Sequence, residues 1–309
     1  MLLTKFLIKR CFFSYKSVLI GNLLFCLLYI SCVNDKEPIY TEKLSSDIIF
    51  SHESGFYDSS FSLSISTSLP NKRILYSLDG SVPCEKNIGG KSYKIKNGIT
   101  EAMSTRKLET FVYDRPLELN NRSTLANDVS TIPNSYILFS SPDSLLDKAT
   151  VLRAGILENG KLSELQTRVF FIGKDLKNYF DIPVLSLTIS EDDFWSYAKG
   201  IYVPGAYFED ENLDYSGNHF QKGREWEREV HLDYFDENAE LGFSQVCGLR
   251  IHGGTSRKFA NRSFRIYARS DYGNNTLDYP IFKNRKNNKH KRLKLRTSGQ
   301  DMIHTYFRD

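Results

Sequence analysis

Metal-binding spacing is missing from this chain. Its six histidines are scattered, and no Cys/His grouping falls at ligand spacing, which argues against a zinc site. Cysteine is scarce, five among 309 residues. Charge of one sign is not in large excess: 41 Lys+Arg against 37 Asp+Glu leave a net +4. Much of that surplus sits at Lys5, Lys9, Arg10 and Lys16 and in the run Lys283 to Arg296. Without a protein-wide basic field, no nucleic-acid partner is expected. The apolar run Val18 to Ile30, broken by Gly21 and Asn22, is too short for a comfortable membrane span. No spaced carboxylate pair stands out, which weighs against a glycoside hydrolase. What remains is an ordinary globular composition, 40% hydrophobic and 25% charged, on a chain long enough for two domains with cores.

The basic start leading into that short apolar run reads as a signal peptide over residues 1–31. It ends at Leu28-Tyr29-Ile30-Ser31-Cys32, followed by the polar VNDKEP. A small residue before a cysteine resembles the lipobox of bacterial lipoproteins, although Tyr29 stands where an aliphatic residue is usual. The resemblance implies cleavage that leaves Cys32 as a lipid anchor on the membrane, where two acyl signals hold stably and one only marginally. A plain signal peptide or a short anchor helix is the alternative. Asp35 and Glu37 resemble an export tag of surface lipoproteins. The expected location is therefore the bacterial cell envelope, at the outer membrane or cell surface. Cys11 and Cys26 would leave with the signal peptide. Cys84 and Cys247 remain, either as a disulfide or as two buried free thiols.

Residues 32–47 read as a polar linker. Beyond them the texture is β. Phe61 to Ser66 alternates strictly, Arg73 to Leu78 is a short strand before the Asp79-Gly80 turn, and two strands within Thr150 to Ile172 flank Glu158-Asn159-Gly160. Short strands with turn dipeptides argue for a small antiparallel sandwich. The words GFYDSSFSLSIST, ILYSLDGSVP and TVLRAGILENGKLSELQTRVFFI resemble the chitobiase/hexosaminidase carboxy-terminal-like module, which implies an immunoglobulin-like β-sandwich over 48–173. The polar stretch between Cys84 and Ser140 departs from that module and reads as a loop elaboration.

The second region spans 181–309. Ile182 to Ile189 is a nearly continuous apolar strand, and a short helix is expected over Glu191 to Tyr197, opening after Ser190. Glu209 to Arg224 reads as a loop. Strands recur at Glu229 to Phe235, Gly248 to His252 and Ser263 to Ala268. Tyr306 to Asp309 reads as the first turn of a helix. The most informative stretch is Gly248 to Gly273, GLRIHGGTSRKFANRSFRIYARSDYG, in which a strand enters a Gly-Gly turn followed by basic residues and a second strand. Glycines allow close backbone approach, and exposed N–H groups beside arginines suit an anion such as phosphate.

Together with Trp226-Glu227-Arg228 and LRTSGQD at Leu295 to Asp301, this stretch resembles the amino-terminal half of the CotH (spore coat protein H) kinase family of atypical phosphotransferases. The fold class so implied is mainly β, with the sandwich followed by the β-rich lobe of an α+β protein-kinase-like domain that is incomplete. Gly253 and Gly254 would cradle phosphate, and Arg257, Lys258 and Arg262 would meet its oxygens, with ATP and Mg as cofactors. Arg262 stands where the family usually has lysine, in a Lys-Ser pair. A planar guanidinium need not fit a lysine's pocket. On the residues alone, Gly253-Gly254 reads first as a hairpin turn with the arginines as a solvated face, and it is the extended resemblance that brings the phosphate reading level with it. Trp226 reads as a packing residue, and Glu227 with Arg228 as an ion pair ordering the lobe. Asp301 and Arg308 match family positions at the start of a second lobe, and Asp192-Asp193 sits at an ordinary place for acids, a helix start. No metal ligand is assigned. The catalytic carboxylates are expected after Asp309, so the chain as given is expected not to transfer phosphate. The competing expectation is a non-enzymatic surface adhesin or polysaccharide-binding accessory protein, whose partner would be a surface protein or polysaccharide.

Overall fold

A computed structural model describes residues 47–96, 103–135, 139–173, 182–212 and 215–297. The signal segment, Cys32, Asp301, Arg308 and the turn expected at Tyr306 to Asp309 lie outside the described residues. The protein is mainly β, with one short α-helix and several single-turn 3-10 segments among the described residues.

The first sheet has five strands: β1 (Gly55–Tyr57), β2 (Arg73–Ser77), β3 (Phe111–Val112), β4 (Ala149–Glu158) and β5 (Lys161–Ile172). Their order is β1-β5-β4-β2-β3, parallel only at β1-β5. The β4–β5 hairpin is the long-strand pair read from the sequence. Its turn places Asn159 at φ 51 and Gly160 at φ 74, the left-handed pair that a tight two-residue hairpin requires. Leu152, Ile156, Phe170 and Ile172 share one core with Ile48, Phe50, Leu63, Ile65 and Leu119 from two short ribbons. Those ribbons pair Ile48–Phe50 with Ile65–Thr67 and Phe61–Leu63 with Leu117–Leu119.

Phe61 to Ser66 is therefore not a single strand. The chain changes partner at Ser64, where the Ser64 N–H donates to Ser51 Oγ and the Ile65 N–H donates to the Tyr113 hydroxyl. Alternation survives the break because Leu63 and Ile65 both face the core.

The second sheet is an antiparallel meander of β6 (Val184–Thr188), β7 (Arg228–Phe235), β8 (Leu241–His252), β9 (Ser263–Tyr267) and β10 (Arg292–Leu295), adjacent in that order. One face carries Leu187, Val230, Leu232, Cys247, Leu249, Ile251, Ile266 and Leu293 into a core. Ile201, Tyr202, Trp226, Leu277 and Phe194 of the short helix α1 (Glu191–Trp195) pack in the same core. Cys247 is buried, Cys84 only half so, and both are free thiols. Burial pushes the Cys247 thiol up to about 12, which keeps it uncharged and unreactive at neutral pH.

The polar insertion is more than a loop. Lys91–Lys96 and Met103–Leu108 form an antiparallel hairpin, from which Tyr93 donates to Glu191 Oε1 at 2.5 Å and Arg106 also reaches Glu191. Arg106 grips Asp128 with both terminal nitrogens at 2.7 Å. The two sheets also meet directly. Phe56 stacks on Phe171 at 4.6 Å with Phe235 edge-on to both, and Arg153 Nη2 meets Glu229 Oε1 at 3.0 Å. At the Asp79-Gly80 turn (φ +73), a Cβ on Gly80 would stand 2.3 Å from the Ile189 carbonyl oxygen, so only glycine lets this turn seat there.

Candidate anion-binding site

β8 and β9 are joined by residues 253–262, the glycine-bearing loop. Gly253 sits at φ +125, and a Cβ there would lie 2.4 Å from Ser256 Oγ, so its glycine is a conformational requirement. Gly254 is different. A Cβ on it meets nothing within 4 Å, and no protein acceptor among the described residues takes its N–H.

Arg257 and Arg262 do not line the loop's outer surface, as the sequence suggested, nor do they form a solvated face. Both lie beneath it, 6% and 0% exposed. Arg257 donates to the carbonyls of Gly253 (2.7 Å), Ile251 (2.8 Å), His219 (2.9 Å) and Gln221 (3.1 Å). Arg262 donates to the carbonyls of Arg257 (2.6 Å), Asn134 (2.7 Å) and Tyr202 (3.0 Å), its guanidinium 5.0 Å from the Tyr202 ring centroid. The planar fork suits this role because it fills several carbonyls at once, which one ammonium could not match in direction. Burial lowers both pKa values, that of Arg262 to about 9, so Arg262 remains a cation at neutral pH. The insertion reinforces the loop from the same side. Asn134 Nδ2 donates to the Ala260 carbonyl at 3.0 Å, and Ser135 Oγ donates to the Lys258 carbonyl. Lys258 stays half-exposed, its ammonium 5.7 Å from the Tyr215 ring centroid.

Above this buttress is a cleft of about 380 Å³. Gly253, Gly254, Thr255 and Ser256 form one wall, His252 and Ser263 the strand ends, and Lys294 and Arg296 the other wall. The register explains the basic side. Arg250 stands opposite Arg265, and Arg265 opposite Lys294, so three cations lie side by side across β8, β9 and β10. Like charges in such a row repel, which a sheet tolerates only against a countervailing interaction. His252 joins this field. Partial burial, then Arg265, Lys294 and Arg257, hold its pKa down at about 4, so it is neutral at pH 7. Its Nε2 accepts from Arg265 Nη2 at 3.3 Å, which leaves the proton on Nδ1.

Lys294, Arg296, Arg265 and His252 escaped the sequence reading. The signal was there: Arg292-Leu293-Lys294-Leu295-Arg296 alternates strictly, where a basic run meets the LRTSGQD motif.

The expected Glu227–Arg228 pair does not form. Glu227 takes Arg269 at 2.9 and 3.1 Å, with Arg250 at 3.6 Å, whereas Arg228 caps the Lys199 and Glu225 carbonyls. Neighbouring residues on a strand point to opposite faces, so an adjacent pair is poorly placed to meet. Gly248 makes the room, since a Cβ there would collide with Glu227 Oε1 at 2.2 Å. Trp226 packs against the core of the second sheet.

No carboxylate lines the cleft, and among the described residues no three His, Cys, Asp or Glu side chains cluster as metal ligands. Buried His231 meets Asp233 Oδ1 at 3.0 Å and Ser244 Oγ at 2.9 Å through the same nitrogen, Nε2. A nucleophile–base–orienter relay needs both nitrogens, so this trio is not one. Comparison with family models, curated proteins and solved structures finds no match to this chain. The arrangement can hold an anion through cations, hydroxyls and an open backbone N–H.

Proposed function

We propose that the second sheet and its loop are the phosphate-binding part of a CotH-like phosphotransferase lobe. In this reading the first sheet with its ribbons is an immunoglobulin-like module, and a lipid on Cys32 holds the protein at the bacterial cell envelope. The observation that carries the reading is the cleft at Gly253-Gly254, faced by Lys294 and Arg296 and backed by the Arg250–Arg265–Lys294 row. Gly253 and Gly254 keep the role expected of them. Arg257 and Arg262 support it from below, holding the loop's carbonyls away from the cleft and adding positive potential under it.

The cleft suits the phosphates of ATP but not its magnesium ion, because no carboxylate lines it. Binding and orientation of a phosphate chain are therefore the activity assigned to these residues. The chemistry of transfer would also need a metal-holding group and a carboxylate to orient the acceptor.

Isothermal titration calorimetry of the purified chain with ATP, pyrophosphate and adenosine tests the assignment. ATP and pyrophosphate should bind, weakening as salt rises, and adenosine should not. The Lys294→Ala, Arg296→Ala double variant should lose about tenfold in affinity or more. Equal binding of adenosine and ATP, or affinity indifferent to both substitutions, would overturn it. The competing reading, an adhesin or polysaccharide-binding accessory protein, draws on the first sheet instead.

A further inference from the structure

A cleft of about 540 Å³ lies on the first sheet, remote in sequence from the glycine loop. Its floor is an aromatic pair. Tyr76 on β2 and Phe111 on β3 are cross-strand partners, their rings stacked with centroids 5.2 Å apart and planes at 27°. Tyr76 packs against the core, whereas Phe111 is not among the residues of that core and rests on Tyr76 at the sheet edge. Asp114, Arg115 and Glu118 stand on the rim, all exposed. None of the three side chains makes a hydrogen bond or ion pair among the described residues. Elsewhere on this module, cations do find partners, as exposed Arg73 finds Glu85 and half-buried Arg168 finds Glu53.

We infer that this cleft binds a neutral oligosaccharide. An aromatic pair at a sheet edge presents a flat apolar platform that matches the C–H face of a pyranose ring. Two carboxylates accept from sugar hydroxyls, and a guanidinium donates to them. A purely apolar ligand would strand three charged groups, and the rim's excess of one negative charge repels a polyanion. Burial, then Asp114, raises the Tyr76 pKa, so the phenol stays protonated and can donate.

The inference does not depend on the phosphate reading, and its test separates the two. Affinity gel electrophoresis of the full chain in soluble neutral polysaccharides, followed by saturation-transfer NMR with cello-, chito- and malto-oligosaccharides, should reveal retardation and ring-proton contacts for at least one of them. Phe111→Ala should weaken that binding about tenfold. The exposed double variant Asp114→Asn, Glu118→Gln, which disturbs no packing, should do the same, whereas Lys294→Ala should leave it unchanged. Absence of binding to all three series, or binding unaffected by both cleft variants, would overturn the inference.

Discussion

Around the first sheet, the cations that tie its elements together each meet a carboxylate. Arg153 meets Glu229 at 3.0 Å, Arg168 meets Glu53 at 3.0 Å, and Lys72 meets Glu158. Across the second sheet, Arg250, Arg265 and Lys294 lie opposite one another, and among the described residues the one carboxylate that pairs with any of them is Glu227, 3.6 Å from Arg250. Two further guanidiniums, Arg257 and Arg262, lie buried beneath the adjoining loop on carbonyls only. The contrast separates two uses of positive charge. A matched cation fastens elements together and is spent in doing so. A row in which Arg265 and Lys294 meet no carboxylate among the described residues raises the free energy of the sheet, and a bound anion would relieve it.

The largest effect should come from removing the buttress. Arg262→Met keeps the volume but strands the carbonyls of Arg257, Tyr202 and Asn134. Each buried unsatisfied group costs about 1–3 kcal/mol, so roughly 4 kcal/mol of stability should be lost, partly offset by no longer burying a charge. Urea denaturation measures this, and an unchanged midpoint would show that the loop does not need its buttress. Arg262→Lys should fall between, since one ammonium cannot reach three divergent carbonyls. Next comes Arg153→Ala, which removes the guanidinium that meets Glu229 and donates to the Gly80 carbonyl. A loss of about 3 kcal/mol is expected, with phosphate affinity unchanged. If phosphate binding fell in parallel, the division between fastening and binding charge would fail.

The strands were legible because their alternation is local. β2, the β4–β5 hairpin, β7 and β9 stand close to where the residue pattern put them. β10 was overlooked because its outward positions are basic and read as a solvated run. The insertion was misjudged for a different reason. In lysine-rich stretches such as Lys91 to Lys96 the alternation rests on Tyr93 and Ile95 alone, and the hairpin is fixed by a distant partner, Glu191, that no local pattern reveals. The site was half legible. Gly253 and Gly254 line the cleft, but Arg257 and Arg262 turn inward because the loop's carbonyls converge there, a fact of three-dimensional closure. Arg250, Arg265 and Lys294 become neighbours only through strand register, which a sequence does not display.

Two histidines sharpen the contrast between structural and binding charge. His219, buried with Nδ1 on the Val203 carbonyl, is held at about 3 by burial and then Arg262; His252, in the cleft, is held at about 4. Both lie below the unfolded value of about 6.5, so the unfolded chain binds more protons in between. The stability they contribute is full above about pH 6.5 and falls as pH drops toward about 4 for His252 and about 3 for His219. Between pH 7 and pH 5 the loss should be about 2 kcal/mol, mostly from His219, with the partly exposed His252 discounted for solvent screening. Inorganic phosphate should raise the His252 pKa and leave that of His219 unmoved, which histidine NMR titration can resolve. Equal shifts in both would indicate a general salt effect.

The smallest expected energy is the most discriminating. Lys294→Glu places a carboxylate directly opposite Arg265 and turns the repelling row into an attractive pair. Cross-strand opposite charges contribute about 0.2–1 kcal/mol, so the variant should be slightly more stable than the parent, by roughly 0.5 kcal/mol. Its phosphate affinity should nevertheless fall about tenfold or more, because one cleft cation has become an anion. Stability and binding thus move in opposite directions from a single exposed side chain. A row placed there only for structure predicts that both hold steady or improve together, and that outcome would remove the reason for assigning the cleft to an anion.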